Sequence, residues 1–185
     1  AGFTMGWILL RLPLSTAAGP TALFDEEIVS SLFEDASRAV VEINVERPTL
    51  HSGETMFSGS GFLVDSNGHI VTNHHVLDGA GDITVVLFDG RILSATKLGT
   101  SPADDLALLR IDPDEVGELG PLPLADSDKV KPGQMAIAIG SPFRQVNSVS
   151  VGVVSGIGRA QQSVLRRPIP NLIQTDAALN PGNSG

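Results

Sequence analysis

Three short stretches carry residues that could do chemistry together. Ile70-Val-Thr-Asn-His-His-Val76 ends an apolar run on two histidines, His74 and His75. Ser101-Pro-Ala-Asp-Asp-Leu-Ala-Leu-Leu109 sets Asp104 and Asp105 immediately before a second apolar run. Asn180-Pro-Gly-Asn-Ser-Gly185 places Ser184 in a glycine-rich turn. A serine hydroxyl becomes a nucleophile when a base takes its proton and an acid holds that base in the right tautomer. Along the chain they occur in the order His, Asp, Ser, 30 and 79 residues apart counting from His75 and Asp105. Such gaps suit a base and an acid on one β-barrel and a nucleophile on a second. Taken singly, each stretch is ordinary: a histidine at a strand end, an acid before an apolar run, a Pro-Gly turn. Their joint occurrence in order is what points to a triad. The histidine pair could also suggest a metal, but the ordered His, Asp and Ser favour the triad, and no metal and no cofactor is expected.

The glycines around Ser184 fit the same chemistry. An acyl-transfer site needs backbone N–H groups turned inward beside the nucleophile to hold the developing oxyanion. Gly182 can take the positive φ of such a turn, and Gly185 leaves room for a substrate backbone. The expected oxyanion hole is formed by Gly182, Asn183 and Ser184, with the N–H groups of Gly182 and Ser184 as donors.

These residues need a scaffold of strands. The chain has 185 residues, with 42% apolar and 18% charged, which is a globular balance. Its 20 Gly and 12 Pro suit many short strands joined by turns. The spacing predicts strands at 40–45, 59–65, 69–73, 83–87, 92–98, 106–111, 134–140, 148–157 and 172–175. Turn signals separate them, among them Ser66-Asn-Gly68, Asp89-Gly90 and Lys131-Pro-Gly133. A short helix over 25–36 precedes them, with Ile28, Val29, Leu32 and Phe33 on one face and Asp25, Glu26 and Glu27 at its start. The expected class is all-β, a barrel or sandwich. The net charge of −9 argues against a nucleic-acid partner, and the absence of Cys excludes disulfides and thiol catalysis. Residues 1–24 differ from the rest. Gly6-Trp-Ile-Leu-Leu-Arg-Leu-Pro-Leu14 is apolar but too short to span a bilayer, and small residues follow it. It reads as the end of a signal peptide or signal anchor, or as a loosely packed tail. A chain that opens on Ala1 and ends within a turn is expected to be a piece of a longer protein.

Five segments together resemble one family. Val71-Thr-Asn-His-His-Val76, Asp105-Leu-Ala-Leu-Leu109, Ile139-Gly-Ser-Pro-Phe143, Gly152-Val-Val-Ser-Gly156 and Ile173-Gln-Thr-Asp-Ala-Ala-Leu-Asn-Pro-Gly-Asn-Ser-Gly185 are similar to the HtrA/Deg trypsin-like serine proteases, in family order and over residues 27–185. The resemblance implies a chymotrypsin-like double β-barrel. The first barrel is expected over about 37–125, and the second is incomplete in this chain. It implies one protease domain over 25–185 after the 1–24 segment. It makes His75 rather than His74 the base, Asp105 rather than Asp104 the acid, and Ser184 the nucleophile.

It also places the floor of the substrate pocket at Ala178, followed by Leu179, with no charge there to pair with Lys or Arg. Cleavage after aliphatic residues is the consequence. Asn183 stands where digestive relatives carry an acid that pairs with a freshly cut N-terminus, so activation by trimming is not expected. The resemblance further implies ATP-independent cleavage of unfolded or damaged proteins outside the cytoplasm, in a periplasm, secreted, at a membrane anchor or in an organelle lumen. Homotrimers through the N-terminal segment are implied as well, with Leu32, Phe33 and Phe143 as the matching residues. Both Phe side chains would equally suit a barrel core. The alternative is a chaperone-like peptide-binding module without turnover.

Overall fold

A computed structural model describes residues 25–49, 53–141, 148–162, 168–179 and 184–185. One helix, α1 (Glu26–Ser37), opens the described chain. The Asp25 carboxylate caps it, accepting from the N–H groups of Glu27 (3.0 Å) and Ile28 (3.4 Å). Glu26 and Glu27 fill its first turn, where negative charge meets the positive end of the helix dipole. Ile28, Val29, Leu32 and Phe33 are half-buried.

Ten strands follow among the described residues: β1 (Val40–Thr49), β2 (Gly53–Leu63), β3 (His69–Thr72), β4 (Ile83–Val86), β5 (Ile92–Ser94), β6 (Thr96–Ser101), β7 (Leu106–Arg110), β8 (Met135–Gly140), β9 (Ser148–Gln162) and β10 (Pro168–Thr175). The first seven form one antiparallel sheet in the order β5-β4-β1-β2-β3-β7-β6. Its two edge strands, β5 and β6, are separated only by Ala95, whose N–H donates to the Ile83 carbonyl at 3.0 Å. A sheet whose opposite edges are joined by one residue must curl on itself, so the first lobe is barrel-like. This is why the expected strand at 92–98 is two strands: the apolar pattern runs on while the backbone turns from one edge to the other.

Inside the curl lie Val41, Ile43, Val45, Leu63, Ile70, Val85, Leu109 and Ile111, all buried. Burying such aliphatic side chains contributes roughly 1.5–3 kcal/mol each against exposure. The segment after β7 stays on this lobe, burying Val116, Leu119 and Leu122, with the Leu122 N–H bonded to Leu63 O at 3.0 Å. The second sheet has the order β10-β9-β8, and its Ala136 and Val154 form a small buried cluster with Val130. The two lobes meet directly: Ile139 of β8 packs on the first core, and Ser141 N–H donates to the Ser60 hydroxyl at 3.0 Å. The fold is all-β, with a curled first sheet and a partial second one, as the resemblance implies. Among the described residues no helix is long and apolar enough to cross a membrane.

Candidate active site

Strand register brings the first two candidate residues together. β3 and β7 run antiparallel with Thr72 opposite Ala107. The chain leaving β3 at Asn73 and the chain entering β7 at Asp105 therefore emerge side by side at one end of the sheet. Past Asn73 the backbone winds into one 3-10 turn, His74–Val76. Consecutive residues of such a turn project about 120° apart, so only one of the two histidines can face a given neighbour.

Asp105 holds all three residues of this junction. Its carbonyl accepts from the His74 N–H (3.0 Å) and from the Asn73 side-chain amide (2.9 Å). Its carboxylate accepts from the His75 N–H at 2.9 Å and lies 2.7 Å from His75 Nδ1. Asp105 is fully buried and adopts φ 55°, the left-handed region, which Asp enters more readily than most residues. That conformation turns both its carbonyl and its carboxylate toward 73–75. A carboxylate oxygen can only accept, so the proton of neutral His75 sits on Nδ1 and Nε2 is left as the basic nitrogen. The His75 side chain is 29% exposed, so its outer edge is open to a reactant.

The neighbours play other parts. The carboxylate of Asp104 accepts from the Ser101 hydroxyl at 2.6 Å, closing an exposed local turn. His74 Nδ1 is buried without a hydrogen-bond partner among the described residues. Among those residues no group of three His, Asp or Glu could hold a metal ion.

Ser184 comes to the same end of the sheet through β2. Its carbonyl accepts from the Ser60 N–H at 2.6 Å, and the Ser60 carbonyl accepts from the Thr72 hydroxyl at 2.7 Å. Gly59 is where the pieces touch. A Cβ there would lie 2.7 Å from both methyl groups of Val76, the residue after His75, and 3.2 Å from the Ser184 carbonyl. Only glycine admits this approach.

On the second lobe, the Ala178 carbonyl accepts from the Ser150 hydroxyl at 2.6 Å, and Ala178 and Leu179 are exposed. Asp176, the nearest acid in sequence, is engaged by the Val153 N–H at 2.7 Å. Gly182, Asn183 and Phe143 lie outside the described residues. Asn73 and Ser60 also belong to this junction, though neither is a candidate by residue type alone. Asn73 carried a usable signal, an amide directly before the two histidines. Ser60 showed only the Gly-Ser-Gly run of residues 59–61.

This arrangement has relatives. The family model described as a trypsin-like peptidase domain matches residues 59–185, more than half of the chain. A probable periplasmic serine endoprotease, DegP-like, from Marinomonas sp. (strain MWYL1) is 47% identical over 133 residues, covering 72% of this chain and 27% of the relative. The chain belongs to the HtrA/Deg trypsin-like peptidases. Protease Do-like 1, chloroplastic, from Arabidopsis thaliana is 46% identical over 129 residues, covering 69% of this chain and 29% of the relative. A solved HtrA-type protease, AlgW with a tripeptide, superimposes with a TM-score of 0.74 at 35% identity, covering 85% of this chain and 48% of that one. The chain thus spans less than a third of the length of these two curated HtrA/Deg relatives.

Proposed function

We propose that the protein carrying this chain is an ATP-independent serine endopeptidase acting on unfolded or damaged proteins, with residues 25–185 as its protease domain. The observation that carries this reading is the double hold of Asp105 on His75, which fixes the tautomer a general base needs. Ser184 attacks the peptide carbonyl. His75 Nε2 takes the Ser184 proton and then passes it to the leaving amine, while Asp105 stabilises the imidazolium formed in between. The N–H groups of Gly182 and Ser184, with Asn183 between them, receive the oxyanion. Ala178 and Leu179 form an uncharged pocket floor, consistent with Asp176 being engaged by β9.

Peptide substrates are supported by the tripeptide held in the AlgW structure. A location outside the cytoplasm or in an organelle is supported by one relative named periplasmic and one named chloroplastic. Assembly as a homotrimer, through the N-terminal segment with Leu32 and Phe33 and through Phe143, completes the proposal, as does a membrane anchor or signal within 1–24.

Digestion of an unfolded protein by the full-length enzyme, with every cleavage site mapped, tests both activity and specificity. The expected outcome is cleavage after Val, Ile, Leu or Ala that vanishes in Ser184→Ala. Dominant cleavage after Lys or Arg would overturn the pocket assignment, and no Ser184-dependent cleavage would overturn the function.

A further inference from the structure

We propose that Arg47 is a positioning residue for His75, gripping its carbonyl while Asp105 holds its N–H and ring. Arg47 lies on β1, far from His75 in sequence, yet its Nη2 donates to the His75 carbonyl at 3.0 Å and to the Val76 carbonyl at 3.2 Å. These carbonyls need a donor. The last carbonyls of a helical turn have no partner inside it, and in this turn the Leu77 N–H serves only His74 O. A guanidinium can supply N–H groups to two adjacent carbonyls and complements the negative end of the turn.

The setting of the guanidinium argues that this grip is its purpose. Its Cζ stands 4.0 Å from the centroid of the Phe57 ring, which shields the cation on one face. Its Nε is buried with no partner among the described residues. A buried N–H without an acceptor is a cost, and an aliphatic side chain filling the same space would not incur it. What Arg47 provides at the His75 turn that such a side chain could not is the pair of bonds to its carbonyls. Asp105 fixes the His75 N–H and ring, and Arg47 fixes its carbonyl, so every backbone polar group of His75 is bonded while Nε2 stays available.

This inference rests on reading His75 as the base, and the test separates the two. Wild type, Arg47→Met and Arg47→Lys are compared in the full-length protein by steady-state kinetics on a peptide, by thermal melting and by the low-field proton resonance of His75 Nδ1–H. Arg47→Met is expected to lower kcat about 10- to 100-fold, as a slight misplacement of a catalytic group does, with KM within about twofold. It should also shift or broaden the Nδ1–H resonance. Arg47→Lys, which keeps one donor and the charge, should fall between. A wild-type resonance and kcat in Arg47→Met would overturn the proposal, as would equal losses in both variants that track melting temperature alone. Should Arg47→Met not fold, the lysine variant decides: a partial kcat loss with a shifted resonance supports the grip, and wild-type values overturn it. If the wild type itself hydrolyses nothing, the base assignment fails, while the resonance still reports whether Arg47 orders His75.

Discussion

Asp105 reaches His75 twice, through the backbone N–H at 2.9 Å and through ring Nδ1 at 2.7 Å. The two bonds use different carboxylate oxygens, so the ring is oriented relative to its own backbone. Asp105→Asn sharpens the consequence. The amide oxygen can stay on the His75 N–H, which puts the amide N–H group against Nδ1. Nδ1 must then accept, the proton moves to Nε2, and the base is lost. We expect a fall in kcat of order 10⁴ with a native melting profile. Activity within about tenfold of wild type would contradict the role given to Asp105.

Gly59→Ala tests the convergence of β2, the His75 turn and Ser184. The added methyl would stand 2.7 Å from both Val76 methyl groups, and Val76 is buried. Overpacking of this kind costs typically about 1–3 kcal/mol. Urea unfolding should show that loss, together with reduced turnover because Val76 adjoins His75. An unchanged midpoint would show that the two segments are not held as described.

The turn from β2 into β3 carries an acid-sensitive contact remote from the chemistry. Asp65 is lowered from 3.8 to about 2, chiefly by its bond to the His69 side chain at 2.7 Å, with help from the His69 and Asn67 N–H groups. A depressed carboxylate stabilises the fold above its ordinary value and ceases to do so as pH falls toward its folded value. Wild type should therefore exceed Asp65→Asn in stability at neutral pH, and the gap should shrink between about pH 4 and pH 2. Urea midpoints measured across that range check it. A gap independent of pH would assign the difference to something other than ionisation.

Much of the architecture was legible in the sequence where local pattern and tertiary environment agree. The helix expected over 25–36 is Glu26–Ser37, and β3, β4 and β7 fall within a residue or so of expectation. Strand ends that depend on pairing were not legible. β1 continues through the polar Glu46-Arg47-Pro48-Thr49 because β2 runs alongside from Gly53. β9 extends past Ile157 to Gln162 because β10 begins early, at Pro168, and pairs with it. No periodicity marks those residues as strand.

The site divides in the same way. His75, Asp105 and Ser184 stand in recognisable local motifs, yet nothing local distinguishes His75 from His74 or Asp105 from Asp104. The resemblance makes that choice; in the fold Asp104 closes a surface turn while Asp105 is buried against 73–75. Arg47 gave no signal at all, because its contact with His75 arises only when β1 is folded beside the His75 turn.

The central claim is that Ser184 is an activated nucleophile and His75 the base that activates it. A fluorophosphonate modifies a serine only when its proton is being removed, so the modified residue identifies the site directly. In the full-length protein, mass spectrometry should find the label on Ser184 in the wild type and in His74→Ala, and on no residue in His75→Ala. Label on a different serine, undiminished label in His75→Ala, or loss of label in His74→Ala instead would contradict the account.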